Sequence, residues 1–208
     1  MRIAVIIPCY RQAVYLAESV ASVDAQTYRD IELVVVTGDA DSKRAALKLG
    51  VRSLALPPDG LAAARNAGIA ATTAPWILPL DADDVLEPRA LATLAEHAPV
   101  AKHWIVGSDV QEFGASSRRW RLPQWSGLRE QNALPYCSLY PRSLWEALGG
   151  YEDGPHEDWR FWLAARRLDP RVVQVHEPLL RYRRHAESLT ARMDLASARA
   201  FVHARFPS

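Results

Sequence analysis

Cysteine is scarce in this sequence: Cys9 and Cys137 are the only two, and they stand in unrelated contexts. Neither a disulfide framework nor a zinc site follows from that spacing, and a reducing cytoplasm is the expected setting. Long apolar runs are missing too, since none approaches the roughly 20 residues that a membrane-spanning helix requires. Pro8 interrupts the apolar start Ile3-Ala4-Val5-Ile6-Ile7 too early for the core of a secretion signal, so none is expected. Charge of one sign is not in excess: 25 Lys and Arg stand against 24 Asp and Glu, a formal net charge of +1. That balance excludes polyelectrolyte behaviour of the whole chain, because affinity for a nucleic-acid backbone scales with the cations placed on its phosphates. No glycine-rich phosphate loop follows the first apolar run either, where the sequence is Pro8-Cys9-Tyr10-Arg11.

What is present is the composition of a folded chain with a substantial core, 49% hydrophobic and 24% charged over 208 residues. No repeat or Pro/Gly linker divides it, and one domain over 1–208 is expected. Apolar β-branched runs at Arg2 to Ile7 and Ile31 to Val36 read as buried strands, and Val51 to Leu56 and Trp76 to Leu80 as further strands. Between them, Ala13 to Ala25, Lys43 to Leu49 and Leu61 to Ala71 read as helices. This alternation predicts an α/β fold with a mostly parallel central sheet flanked by helices. Further on, strands are predicted at Trp104 to Val110 and Val172 to His176, and helices at Trp159 to Leu168 and Asp194 to Phe206. Arg118 to Trp125 follows neither period.

Three carboxylates crowd the end of the fourth run in Leu80-Asp81-Ala82-Asp83-Asp84, at the edge where open α/β sheets bind ligands. In extended backbone Asp81 and Asp83 project to one side, and a hard cation takes one or two such carboxylates and completes its shell with phosphate and water. The plainer alternative is an acidic loop in which Asp84 caps a helix opening at Val85-Leu86-Glu87-Pro88. A calcium loop of the EF-hand type is excluded, because Leu86 stands where its turn needs glycine and Val85 where it needs an oxygen ligand. His156-Glu157-Asp158-Trp159-Arg160 begins like a zinc-protease helix but carries Arg160 in place of the second histidine. Glu157 and Asp158 precede an amphipathic stretch, where a helix dipole favours the ionised carboxylate. Helix capping alone would also account for them.

Taken in order, these segments resemble the family 2 glycosyltransferases of the nucleotide-sugar-binding GT-A fold. The resemblance rests on Ile3 to Tyr10, Gln26-Thr27-Tyr28, Gly60 through Ala64-Arg65-Asn66-Ala67-Gly68-Ile69 and Leu80 to Asp84. Leu148-Gly149-Gly150-Tyr151, Glu157-Asp158 and Tyr182-Arg183-Arg184-His185 complete it. It implies a nucleotide-sugar-binding half over 1–110 and an acceptor-binding half with a C-terminal tail over 111–208. It further implies that Asp81 lies near the ribose and Asp83 on a Mn²⁺ or Mg²⁺ ion bridging the donor diphosphate, with His185 as a metal or phosphate ligand. Pro8 and Tyr10 would line the nucleobase pocket, with Arg65 near the base or pyrophosphate. Asp158 would be the general base of an inverting transfer, and His156 and Glu157 would border the acceptor. The family's paired aspartates after the second strand are replaced by Thr37-Gly38, so Asp39 or Asp41 would have to serve the donor, and a UDP-sugar is expected by family frequency alone.

Arg118-Arg119-Trp120-Arg121 with Trp125 falls on the acceptor side of that scheme, where rings stack on sugars and arginines neutralise phosphate. The expected acceptor is a glycan or lipid-linked hydroxyl, as in polysaccharide biosynthesis, and no nucleic-acid partner is expected from one short basic patch. The rival is a catalytically silent nucleotide-sugar or glycan-binding module of the same fold. Arg192, Arg199 and Arg205 leave open a peripheral contact at the inner face of the membrane, and the terminal helix leaves open a homodimer.

Overall fold

The computed structural model describes residues 1–98, 104–186 and 195–205. Its first strand, β1 (Ile3–Cys9), is buried at every position. The alternation of side chains along a strand sorts its residues between two cores. Ile3, Val5 and Ile7 join one, together with Leu16, Val20 and Val23 of α1 (Ala13–Asp24). Ala4 and Ile6 join the other, with Ala62 and Ile69 of α3 (Leu61–Ala70). Helices therefore cover both faces, which is why the run carries no polar residue.

On either side of β1 lie β2 (Ile31–Thr37) and β4 (Trp76–Pro79), both parallel to it. The sheet continues through β3 (Ser53–Ala55) beyond β2 and ends on β8 (Tyr140–Pro141), antiparallel to β4, giving the order β3-β2-β1-β4-β8. The helix between β2 and β3 is α2 (Ala40–Leu49), closed by Gly50 in the left-handed conformation. A second sheet has the order β5-β9-β6-β7, from β5 (Val85–Leu86), β6 (Trp104–Gly114), β7 (Arg119–Trp120) and β9 (Arg171–Arg184). A bridge between Val106 and Leu139 joins the sheets. The remaining helices are α4 (Ala90–Glu96), α5 (Arg142–Leu148), α6 (Glu157–Arg166) and α7 (Leu195–Arg205).

Several expectations are corrected here. Val85-Leu86 pairs with β9 as a strand and opens no helix. The predicted strand at Val172 to His176 runs on to Arg184, because β9 pairs along the whole of β6 through an irregularity at Asp109. The arginine- and tryptophan-rich stretch contains β7 and a single 3-10 turn at Trp125–Gly127. Asp194, Phe206 and Arg192 lie outside the described residues. Arg199 donates from Nε to the Glu130 carbonyl. No described helix is long and apolar enough to cross a membrane.

Gly68 lets α3 lie directly on the sheet. A Cβ there would collide with Ile6 Cγ2 and come within 2.9 Å of Val36 Cγ2. Gly68→Ala is expected to destabilise the protein by about 1–3 kcal/mol through overpacking, although in an exposed helix the same change would stabilise by about 1 kcal/mol. Urea unfolding of the two proteins measures the sign.

Candidate active site

The site lies beyond the carboxyl ends of the parallel strands. Leu80 still donates its N–H to Ile6 O at 2.9 Å, so β4 delivers the three aspartates at a fixed height above the sheet. Their environments then separate them. Asp84 is fully buried and accepts from Tyr136 Oη at 2.5 Å and from the Arg183 N–H at 2.7 Å, a strut between the acidic loop and β9. Burial pushes its carboxyl well above the usual range, and the neighbouring charges of Asp83 and Asp81 add to that. Asp83 Oδ2 lies 2.9 Å from His185 Nε2, at the end of β9. Asp81 accepts from Arg65 Nη2 at 2.9 Å, and its backbone N–H donates to Tyr136 Oη at 3.0 Å.

Arg65 is 1% exposed, which no helix-surface arginine would be. Its second terminal nitrogen, Nη1, donates to Glu157 Oε1, and its guanidinium lies 5.1 Å from the Tyr136 ring centre and 5.6 Å from that of Tyr151. Burial disfavours the cation, but the charges of Asp81 and Glu157 outweigh it and hold the group ionised. One guanidinium thus ties the acidic loop of the first half to the start of α6 in the second. Burial lifts Asp81 to about 6 against the pull of Arg65, with Asp83 pushing the same way as burial.

His156 precedes α6 in the left-handed conformation (φ 57°), and Glu157 and Asp158 form the helix's first turn. Asp158 Oδ2 accepts from Asn132 Nδ2 at 2.8 Å. Burial first, and then the charge of Glu157, push Asp158 up to about 7, while Arg65 pulls it down. A carboxyl poised near neutrality and anchored through one oxygen is suited to accept a proton on the other. Burial also lowers the His156 pKa, which favours its neutral form.

Part of this constellation lines a cavity of about 700 Å³, whose wall does not include Asp83, Asp84 or His185. Arg65, Asp81, His156, Glu157 and Asp158 contribute to its wall, as do Trp120, Arg121, Tyr136 and Tyr182, and Ala198 of α7. Trp125 is not among the lining residues: it is half-buried and packs on the core that contains Trp159 and Trp162. Trp120 lines the cavity instead, its ring 5.6 Å from that of Tyr182. Asn132 and Tyr136 were not anticipated, since uncharged residues in an irregular loop carry no sequence signal.

Pro8 and Tyr10 lie at the end of β1. Tyr10 is 45% exposed, and its ring packs so closely on Gly38 that a Cβ there would lie 3.1 Å from it. Asp39 caps α2, accepting from the N–H groups of Asp41, Ser42 and Arg11 and from the Ser42 hydroxyl. Those four bonds occupy the lone pairs of its carboxylate. Asp41 is exposed and pairs with Arg44.

Among the described residues, no group of three or more His, Cys, Asp and Glu is arranged to hold a metal ion unaided. Asp83 with His185 supplies one carboxylate and one imidazole, a donor set that suits Mn²⁺ when diphosphate oxygens and water complete the shell.

The family model for glycosyl transferase family 2 matches residues 4–154. The chain is 27% identical to the uncharacterized glycosyltransferase EpsJ of Bacillus subtilis over 215 residues, covering 90% of this chain and 62% of that protein. It is 38% identical over 104 residues to the uncharacterized glycosyltransferase alr2836 of Nostoc sp., covering 46% of this chain and 32% of that protein. The chain thus spans less than two thirds of the length of either relative. Among solved structures, S. aureus TarS in complex with UDP-GlcNAc superposes with a TM-score of 0.76 at 14% identity, over 100% of this chain and 68% of that one. The mannosyltransferase PcManGT from Pyrobaculum calidifontis, in complex with GDP-Man and Mn²⁺, gives 0.67 at 19% identity, over 91% and 59%. At such identities the likeness is one of fold.

Proposed function

The chain belongs to glycosyl transferase family 2, and from that premise we propose that it is a metal-dependent, inverting glycosyltransferase. It moves a sugar from a nucleoside diphosphate to a hydroxyl of a glycan or lipid-linked acceptor on the cytoplasmic side. The observation that carries this reading is the Arg65 bridge, which sets Asp81 and the turn bearing Asp158 on one cavity. UDP-sugars are the first donors to try, because the TarS neighbour binds UDP-GlcNAc, with GDP-mannose next after PcManGT.

The donor's base lies against Tyr10 and Pro8, and its diphosphate faces Asp83 and His185. Asp83 and His185, with Asp81 beside them, would hold a Mn²⁺ or Mg²⁺ ion, which would supply positive charge to stabilise the departing diphosphate. Asp158 removes the proton from the acceptor hydroxyl as the oxygen bonds to the anomeric carbon. The bond from that carbon to the diphosphate breaks on the opposite face, which inverts the centre. Arg65 holds Asp81 and Glu157 in place beside this reaction.

Calorimetric titration with UDP, GDP and TDP, each with and without Mn²⁺, tests the reading. One nucleotide is expected to bind in a metal-dependent manner, and Asp83→Ala is expected to abolish the dependence. Slow release of nucleotide from the matching sugar donor, without acceptor, would separate an enzyme from a silent binding module. No binding to any nucleotide would overturn the proposal.

A further inference from the structure

The Arg118-Arg119-Trp120-Arg121 run is divided by the fold. Arg118 lies over the Trp120 ring at 5.8 Å. Arg119 donates to buried Asp109 at 3.3 Å and to the His176 carbonyl at 2.9 Å. Arg121 is exposed and lines the cavity, and among the described residues it makes no hydrogen bond or ion pair. The other arginine of the wall, Arg65, is already shared by two carboxylates. Arg121 is therefore the lining arginine with an uncommitted guanidinium. The carboxylates of the same wall, Asp81, Glu157 and Asp158, would repel an anion from the reacting end.

We propose that Arg121 is an anion subsite of the acceptor, so that the acceptor is a sugar bearing a phosphate or carboxylate, its ring beside Trp120 and its anion on Arg121. A guanidinium fork matches either group with two parallel hydrogen bonds and remains charged at any working pH. The aromatic pair of Trp120 and Tyr182 offers the apolar face of a sugar a surface within the same cavity. The anion also sets direction: with one end of the acceptor on Arg121, its far hydroxyl is turned toward the carboxylates. This rests on the transferase reading only in naming the ligand an acceptor.

The test is calorimetric titration of the full chain with methyl glucoside, glucose 6-phosphate, glucuronate and inorganic phosphate. Metal-free buffer keeps a cation from carrying the anion to Asp83. The readout is the ratio of affinities for the charged and neutral sugars, in the wild type and in Arg121→Gln. A charge-assisted pair of this kind is expected to favour the charged sugars by about tenfold, and Arg121→Gln should bring that ratio to about one. The tighter of the two charged sugars identifies the anion. Equal binding of methyl glucoside, a preference that survives Arg121→Gln, inorganic phosphate binding as tightly as glucose 6-phosphate, or no binding of any sugar would each overturn it. Failure of the transferase reading would show separately, as a protein that keeps the ratio but neither binds nucleotide nor releases it from a donor.

Discussion

Exchange of Arg65 for methionine is expected to lower the unfolding free energy by about 3–5 kcal/mol, the cost of breaking a buried ion pair from one side. Methionine fills much of the space but leaves Asp81 and Glu157 facing one another without a cation, at 23% and 15% side-chain exposure. Neither carboxylate can turn fully into water, so the penalty is desolvation without compensation. In a chain of this size the fall corresponds to roughly 6–20 °C in Tm, measurable by circular dichroism at neutral pH. Arg65→Lys is expected to recover little, because a single ammonium cannot present two parallel donors to carboxylates on separate elements. Retention of wild-type stability in Arg65→Met would mean that the bridge joining the two halves contributes nothing to the fold.

Arg65 also shows where reading the sequence stops. Its place in Ala64-Arg65-Asn66 assigned it to the donor, but one arginine on an Ala-rich helix is indistinguishable from a solvated one until α6 is laid against it. The strands β1 and β4 were legible because burial on both faces leaves an unbroken apolar run, and β2 because Leu33 to Val36 does the same after the half-buried Glu32. The two-residue strands β5, β7 and β8 were not, since a pair of residues has no period; only pairing makes them strands, β5 and β7 in the second sheet and β8 against β4 in the first. The length of β9 was hidden for a related reason: Arg181 to Arg184 reads as a basic loop, yet it pairs with Gln111 to Gly114 of β6. That pairing brings His185 to Asp83 across 102 positions of sequence. Trp120 and Trp125 were equivalent by composition, and only the path of the chain through β7 and the following turn separates a cavity wall from core packing. Asn132 had no signal at all, because its one informative property is the carboxylate it touches.

Asp158→Asn is expected to remove about 10²–10⁴-fold of kcat, the usual worth of a positioned general base. The wild-type profile should carry the signature of that base. Burial and Glu157 lift Asp158 to about 7, so the proton-accepting form is the minority below neutrality. The rate should fall about tenfold for each pH unit below that value and level off above it. Arg65 is the cation that holds the value down, and Glu157 and Asp81 are the anions that raise it. Removing the Asn132 hydrogen bond with Asn132→Ala should move the acid limb to higher pH, because a donor to the carboxylate favours its ionised form. Stability should respond in the opposite sense to activity. An aspartate whose folded pKa lies above its unfolded value of about 3.9 binds its proton more tightly in the native state. It therefore costs nothing below its unfolded pKa, costs progressively more as the pH rises from there, and reaches the full cost once the pH has passed about 7. The neutral amide of Asp158→Asn escapes that cost, and its carbonyl can still accept from Asn132. The variant should be nearly inactive and, above neutral pH, at least as stable as the wild type, as judged by Tm across a pH series. A variant that is stable and fully active would remove Asp158 from the reaction. One that is inactive only because it is unfolded would mean that the carboxylate holds the helix start together, as a cap does, and takes no proton.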